Sequence, residues 1–291
     1  MKKNTIYNNI SLKKYNSWKV GGVADKLYIC ADKDLLSENI ILKKITPPFI
    51  FIGLGSNLLI RDGGVKGTVI IMHGGLSEIK FENNYFYAEA GVSCSKLAKF
   101  IARNSFIHSA FLAGIPGTIG GALSMNAGCY GSETWDFVES VLVVDEEGKQ
   151  FKRAKNEYTT QYRQVTSKLN VKEYFLAAWM KFPRGLKEDA EDDIRSLLKR
   201  RKETQPLNWP TAGSTFRNPP NHFAAQLIEE CGLKGFTIGG AQISKKHANF
   251  IINLGDASAL DIEELISYTI KRVLEITNIF LETEIKIIGE Y

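Results

Sequence analysis

The chain has 291 residues, 44% of them hydrophobic and 24% charged, the proportions of an ordinary globular protein with core enough for two domains. A net charge of +5 suits anionic small molecules but is too weak to argue for nucleic acid; no run of about 18 uncharged apolar residues points to membrane insertion, and the basic start MKKNTIYNNISLKKYN lacks the apolar stretch of a secretory leader. Cys30, Cys94, Cys129 and Cys231 lack C-x-x-C spacing, and His73, His108, His222 and His247 form no H-x-x-x-H pair, which predicts reduced thiols in a cytoplasmic protein and no metal centre.

A Gly-Gly turn within NSWKVGG (16–22) feeds an alternating strand over 27–30, followed by a short helix over 32–44 that Pro47 and Pro48 close. The apolar run 49–54 reads as a buried strand. It leads into GLGSNLL (53–59), which opens like a G-x-G-x-x-G dinucleotide fingerprint, but Leu58 takes the third glycine's place, and RDGG follows too soon for the required helix. A phosphate-contacting loop and a plain strand-to-strand turn both remain open there, with Gly55, Ser56 and Asn57 offering donors. Strands are expected over 69–72 and 85–90, and a helix over 93–104 capped by Ser93, with Leu97, Phe100 and Ile101 as its apolar stripe.

The stretch 113–131, AGIPGTIGGALSMNAGCYG, organises the chain: six glycines and a proline interleave with Ile115, Ile119, Leu123 and Met125, so it is packed rather than floppy. GTIGG lets successive amides point one way, which suits a pyrophosphate, while a tight turn between core strands is the plainer reading. A hairpin over 138–145 and 150–154 turns at Glu147-Gly148, and another strand covers 174–182. Residues 186–205 form a helix whose acidic start and basic end complement its dipole, stopped by Pro206. A Gly/Pro-rich loop then precedes a helix over 221–230, capped by Asn221 and closed by Gly232. Ser258 and Asp261 have capping-box spacing at the start of a long amphipathic helix bearing Leu265, Ile266, Ile270, Val273 and Leu274. A strand over 280–288 carries Glu282 and Glu284 on one face. Helices and strands in blocks make the class α+β.

NSWKVGG (16–22), GLGSNLL (53–59), GIPGTIGG (114–121), MNAGCYG (125–131), Tyr162-Arg163, QPL (205–207), AGSTFRNP (212–219), HANFIIN (247–253) and LETE (281–284) fall in one order along nearly the whole chain. In this the chain resembles the UDP-N-acetylenolpyruvoylglucosamine reductase family. The resemblance implies an FAD-binding region of the vanillyl-alcohol oxidase/p-cresol methylhydroxylase type plus a C-terminal α+β substrate domain. The expected division is an FAD-binding region over 1–200, in lobes of about 1–75 and 76–200 with 280–291 returning to it, and a substrate domain over 201–279. It implies non-covalent FAD, NADPH as reductant and a UDP-sugar substrate in peptidoglycan precursor synthesis: hydride from NADPH is passed by way of FAD to the vinyl carbon of an enolpyruvyl ether.

On matching positions, Arg163 forks onto the substrate carboxylate as charge grows there, Ser214 supplies the proton, and Glu284 helps an enolate only when protonated in a desolvated site. Gly53, Gly55, Ser56, Asn57, Arg61, Gly117, Thr118, Gly121 and Asn126 are the FAD candidates, and Tyr162, Asn218 and Lys246 the substrate candidates. Alone, each of these residue types is more often a turn, salt-bridge or solvated surface residue. Val165 stands where the family often has Ser, and Thr283 where it has Pro, which adds an N–H to the strand. The short connection after Arg163 matches the family's shorter subtype, without the loop that closes a tyrosine over substrate. The competing readings are a related flavin oxidase, which no histidine in either glycine loop supports, and a non-catalytic nucleotide-sugar binding protein.

Overall fold

The computed structural model describes residues 5–291. In chain order the elements are β1 (Thr5–Ser11), β2 (Val23–Ile29), α1 (Lys33–Ile41), β3 (Phe49–Ile52), β4 (Leu58–Ile60), β5 (Val65–Ile71), β6 (Ile79–Glu82) and β7 (Tyr85–Glu89). The helices α2 (Cys94–Arg103), α3 (Ala110–Gly114) and α4 (Ile119–Ser124) follow, then β8 (Gly128–Cys129) and β9 (Ser132–Glu133). Next come β10 (Val138–Asp145), β11 (Gln150–Ala154), β12 (Tyr158–Gln161), β13 (Gln164–Ser167), β14 (Glu173–Met180) and α5 (Lys187–Thr204). The chain ends with α6 (Ala224–Glu230), β15 (Thr237–Ile238), β16 (Ala241–Ile243), β17 (Ile251–Asn253), α7 (Ala259–Thr277) and β18 (Lys286–Ile288). The described residues divide into two compact units: 5–8, 26–54 and 67–200 in the first, 9–25, 55–66 and 201–291 in the second.

The first unit is built on an antiparallel sheet of order β11-β10-β14-β7-β6. The expected hairpin is β10–β11, with Val141 opposite Arg153 and Gly148 at φ +87° in its turn. Alternation places Val141 and Val143 of β10 in a core with Phe86, Trp135 and the stripe Leu97, Ala98 and Ile101 of α2. Ser93 precedes α2 as expected, but its side chain makes no capping bond. Phe137 stacks on Phe182 at 4.5 Å, closing the core's edge. A second cluster gathers Leu36 and Ile40 of α1, Phe49 of β3 and Leu176 of β14. Asp32 caps α1, accepting from the amides of Asp34 and Leu35. Within this unit β3 runs parallel to β5, Phe49 beside Thr68.

The second unit packs α6, α7 and the sheet β15-β16-β17 around Trp18, Leu59, Phe216, Ile262, Leu265 and Leu281. Trp18 is fully buried and its indole N–H donates to the Ile251 carbonyl at 2.8 Å. The expected capping box opens α7, and Asp62 adds a second cap, accepting from Ala259 and Leu260. Leu265, Ile266 and Val273 of its stripe are buried, each worth about 1.5–3 kcal/mol of transfer free energy, whereas Leu274 lies 42% exposed.

Two expectations change. The helix over 221–230 starts at Ala224; Asn221 adopts φ +62°, and Asn218 caps instead, its Oδ1 accepting from the Ala224 amide at 3.0 Å. The strand over 280–288 shrinks to β18, which lies parallel to β4. Its preceding residues bury Leu281 and Ile285 and expose Glu282 as alternation predicts, but only Thr283 among them pairs, in a single bridge with Phe216, so no continuous ladder forms before Lys286. Residues 280–291 therefore belong with 55–66 in the second unit.

Candidate active site

In the first unit the two glycine loops converge. Gly53, at the end of β3, packs directly on the Thr118 side chain; any Cβ at position 53 would collide with Thr118 Oγ1 and lie 3.1 Å from its Cβ. Thr118 is 1% exposed and is the N-cap of α4, accepting from the Gly121 amide. The amides of Ile119 and Gly120 are not aimed outward in a row: they donate to the carbonyls of Val92 and Ala90 at 2.8 and 2.9 Å. The bare surface is at Gly121, which is exposed and whose Cβ would meet only Thr118 Oγ1, at 3.8 Å. Gly117 precedes it, its carbonyl held by the Cys94 amide. Backbone without side chains beside a capped turn fits close approach of a flat ring or a phosphate, so these residues suit FAD.

Arg163 sits in the two-residue loop that joins β12 to β13, closed by the Gln161–Gln164 pair, and adopts φ +57°. That left-handed backbone is uncommon for a non-glycine residue. Its guanidinium is 14% exposed, donates to the Gly128 carbonyl at 2.7 Å, stands 3.8 Å from the Glu133 carboxylate and lies over the Tyr162 ring. Tyr162 itself is 45% exposed. Asn126, φ +47°, is buried, and its polar atoms are engaged inside the protein. Nδ2 donates to Glu133 and to the Gln161 carbonyl, and Oδ1 accepts from the Trp135 amide. Asn126 thus ties the segment holding Glu133 to the strand that ends at the Arg163 loop.

In the second unit, Gly55 adopts φ +62° and its carbonyl accepts from Ser17; a Cβ there would strike Tyr15 and Asn16. Ser56 is half-buried beside it. Asn57 faces the C-terminal segment: Nδ2 donates to the Glu284 carbonyl at 3.1 Å and its own carbonyl accepts from Lys286. Arg61 is committed elsewhere. Its fork holds the Glu263 carboxylate at 2.6 and 2.9 Å, and its guanidinium lies 4.0 Å from the centre of the Tyr291 ring. That guanidinium, with the Tyr291 hydroxyl, holds the Glu263 carboxyl below the usual carboxylate range. The sequence reading missed Glu263 because it lies far along the chain, on α7.

Ser214 and Glu284 come together. Gly213, at φ +80°, turns the chain into Ser214, and the Glu284 amide donates to the Thr215 carbonyl at 2.8 Å. Phe216 pairs with Thr283, and Arg217 bridges to Glu282 at 3.0 Å. The hydrogen bonds of that pair come from Glu284 and Arg217, so the N–H that Thr283 has and proline would lack takes no part in it. Asn218 caps α6, and Lys246 donates to the Lys202 carbonyl in the last turn of α5, both exposed. Burial, reinforced by Lys234, keeps the nearby His247 imidazole below its usual pKa, and its Nδ1 accepts from the Asn249 amide.

Residues 205–288 match the family described as the UDP-N-acetylenolpyruvoylglucosamine reductase C-terminal domain, and residues 42–153 match an FAD binding domain. The UDP-N-acetylenolpyruvoylglucosamine reductase of Thiobacillus denitrificans is 46% identical over 98% of this chain and 92% of its own length. That of Methylococcus capsulatus is 47% identical over 95% and 90%. The crystal structure of the Thermus caldophilus reductase, MurB, superposes with a TM-score of 0.83 at 31% identity, covering 98% of this chain and 99% of that one. The chain belongs to the UDP-N-acetylenolpyruvoylglucosamine reductase family.

Proposed function

We propose that this chain reduces the enolpyruvyl ether of UDP-N-acetylglucosamine to the lactyl ether of UDP-N-acetylmuramate, in peptidoglycan precursor synthesis. Family membership over nearly the full length supports this reading, and one geometric observation carries it: the backbone of Glu284 is bonded to the residue that follows Ser214. FAD, when bound, supplies the hydride relay between NADPH and the substrate's vinyl carbon. In the first unit the residues that would hold it are Gly53, Gly117, Thr118 and Gly121; in the second, taken by itself, Gly55, Ser56 and Asn57 form the turn that the same motif order assigns to it. Asn126 ties the Glu133 segment to the strand that ends at the Arg163 loop, and Arg61 is held by Glu263 of α7.

Arg163 takes the substrate carboxylate. Its guanidinium is permanently charged, is oriented by the Gly128 carbonyl, and stabilises negative charge that develops on that carboxylate. Ser214 gives its hydroxyl proton to the carbanionic carbon, and Glu284, in its acid form, keeps the site from repelling the enolate. Tyr162, Asn218 and Lys246 contact the UDP-sugar. NADPH and nucleotide sugars are cytoplasmic pools, and we place the reaction there. No helix among the described residues is long and apolar enough to cross a membrane.

The test is a pair of anaerobic half-reactions. NADPH should bleach the protein's flavin, the enolpyruvyl UDP-sugar should restore the colour, and acid precipitation should release the flavin to the supernatant. Ser214→Ala should keep bleaching and lose recovery of colour. Recovery at the wild-type rate would remove Ser214 from the mechanism, and flavin that stays with the precipitate would point to a covalent oxidase.

A further inference from the structure

Asn249 lies 4% exposed beneath the Ser214 segment. Its side-chain amide is laid against Phe216 as a second strand would be: Oδ1 accepts from the Phe216 N–H at 2.9 Å, and Nδ2 donates to the Phe216 carbonyl at 2.8 Å. Its own carbonyl accepts from the Thr215 N–H at 2.8 Å. That N–H belongs to the peptide joining Ser214 to Thr215, so the bond fixes the plane on which the serine hangs.

The next peptide is gripped from both edges. Its N–H, that of Phe216, goes to Asn249 Oδ1; its carbonyl, that of Thr215, accepts from the Glu284 amide. A rotation of this one plane would move Ser214 and Glu284 together. A primary amide is suited to the grip because it offers a donor and an acceptor side by side, as a peptide does. Aspartate keeps the acceptor and loses the donor. His247 in turn sets Asn249, taking its N–H on Nδ1 at 3.3 Å, while the His247 carbonyl accepts from Phe250.

We propose that Asn249 is a positioning residue for the half-reaction at the sugar, in which the flavin is reoxidised, holding Ser214 and Glu284 in register through the Thr215–Phe216 peptide. The inference rests on the function proposed above. It predicts a loss concentrated in one half-reaction, because the bonds Asn249 itself makes reach Thr215, Phe216 and His247 and none of the residues proposed to hold FAD.

The experiment uses the full chain loaded with FAD, as wild type, Asn249→Asp, Asn249→Ala, Ser214→Ala and the Ser214→Ala/Asn249→Asp double variant. Asn249→Ala is included because Asp sets a second acceptor against the Phe216 carbonyl and can unfold the segment. Misplacement by an ångström costs about 10²-fold in rate, so flavin reoxidation by the enolpyruvyl UDP-sugar should slow by about that factor in both single variants. Flavin reduction by NADPH and the KM for the sugar should stay within about twofold, since remote binding contacts are untouched. In the Ser214→Ala background, Asn249→Asp should add less than about threefold, because two residues acting on one step are non-additive. Equal slowing of both half-reactions, or fully multiplicative effects in the double variant, would overturn the inference and leave Asn249 a structural residue. Wild-type protein that is bleached by NADPH yet not reoxidised by the sugar would overturn the functional reading and this inference with it. Wild-type turnover with unaffected Asn249 variants would overturn this inference alone.

Discussion

Gly53→Ala tests the convergence of the two glycine loops. The backbone at Gly53 is not left-handed, so alanine brings no φ strain there, and its whole effect comes from one added carbon. That carbon would collide with Thr118 Oγ1 and stand 3.0 Å from Cγ2 and 3.1 Å from Cβ. The Thr118 side chain is buried and caps α4, so it cannot swing aside without giving up the cap. Overpacking costs about 1–3 kcal/mol and a lost N-cap about 1 kcal/mol. The sum, roughly 2–4 kcal/mol, corresponds to a fall of roughly 4–16 °C in melting temperature at about 2–4 °C per kcal/mol. Flavin fluorescence should report FAD released at lower temperature still, because the loop that moves is the one proposed to bind it. Thr118→Gly removes the colliding atoms, so adding Gly53→Ala to it should cost far less than in wild type. A Gly53→Ala protein with unchanged melting temperature and unchanged FAD retention would refute the packing argument. So would a cost equally large in both backgrounds.

Arg163→Lys keeps the charge and loses the fork, and stopped-flow reoxidation by the sugar should fall by about 10²-fold while NADPH reduction stands. Glu263→Gln should flatten the acid limb of a melting-temperature profile. The Glu263 carboxyl is held below its usual range by Arg61, so its contribution is present in full above the unfolded carboxylate value of about 4.3 and is lost as pH falls through the lower folded value. A variant that melts in parallel with wild type at every pH would contradict that. Asn218→Ala should cost about 1 kcal/mol in urea unfolding by uncapping α6, with Asn218→Asp close to neutral.

The long elements were legible because their signals are local. Acidic and basic ends plus a following proline mark α5, the capping box marks α7, and a turn glycine within the β10–β11 connection marks the hairpin. The short strands β4 and β15 to β17 were not, since two or three residues carry no period, and β18 was read as the end of a longer strand. The chemistry was legible only through the order of motifs. Nothing within the residues around Ser214 or Glu284 says that their segments meet, and the bond from the Glu284 amide to the Thr215 carbonyl closes across a long loop of chain. Arg61 shows the limit in the other direction. Its position beside a glycine loop suggests a phosphate, but its partner is a helix residue, Glu263, that no local pattern announces.

Four buried asparagines explain why motif positions and contact positions separate. Asn16 donates to the carbonyls of Leu12 and Val20; Asn126 joins Glu133, Gln161 and Trp135; Asn249 grips Phe216; Asn253 donates to the Trp18 carbonyl and accepts from Gly255 and Ala257. Each does for irregular backbone what a neighbouring strand does for regular backbone, and each leaves a buried donor or acceptor stranded if replaced by an apolar residue, at about 1–3 kcal/mol per group. The residues proposed to carry the chemistry, Arg163, Ser214 and Glu284, lie outside regular strands and helices, which spend their backbone on one another and aim side chains along fixed faces. Loops held this tightly need peptide-like side chains to hold them. The NSWKVGG, MNAGCYG and HANFIIN motifs therefore supply the scaffolding of the site as much as its contacts. That is why Asn126 matches a binding pattern while its bonds point inward, and why Asn249, to which the motif order assigned no role, has its amide on the irregular segment that bears the serine.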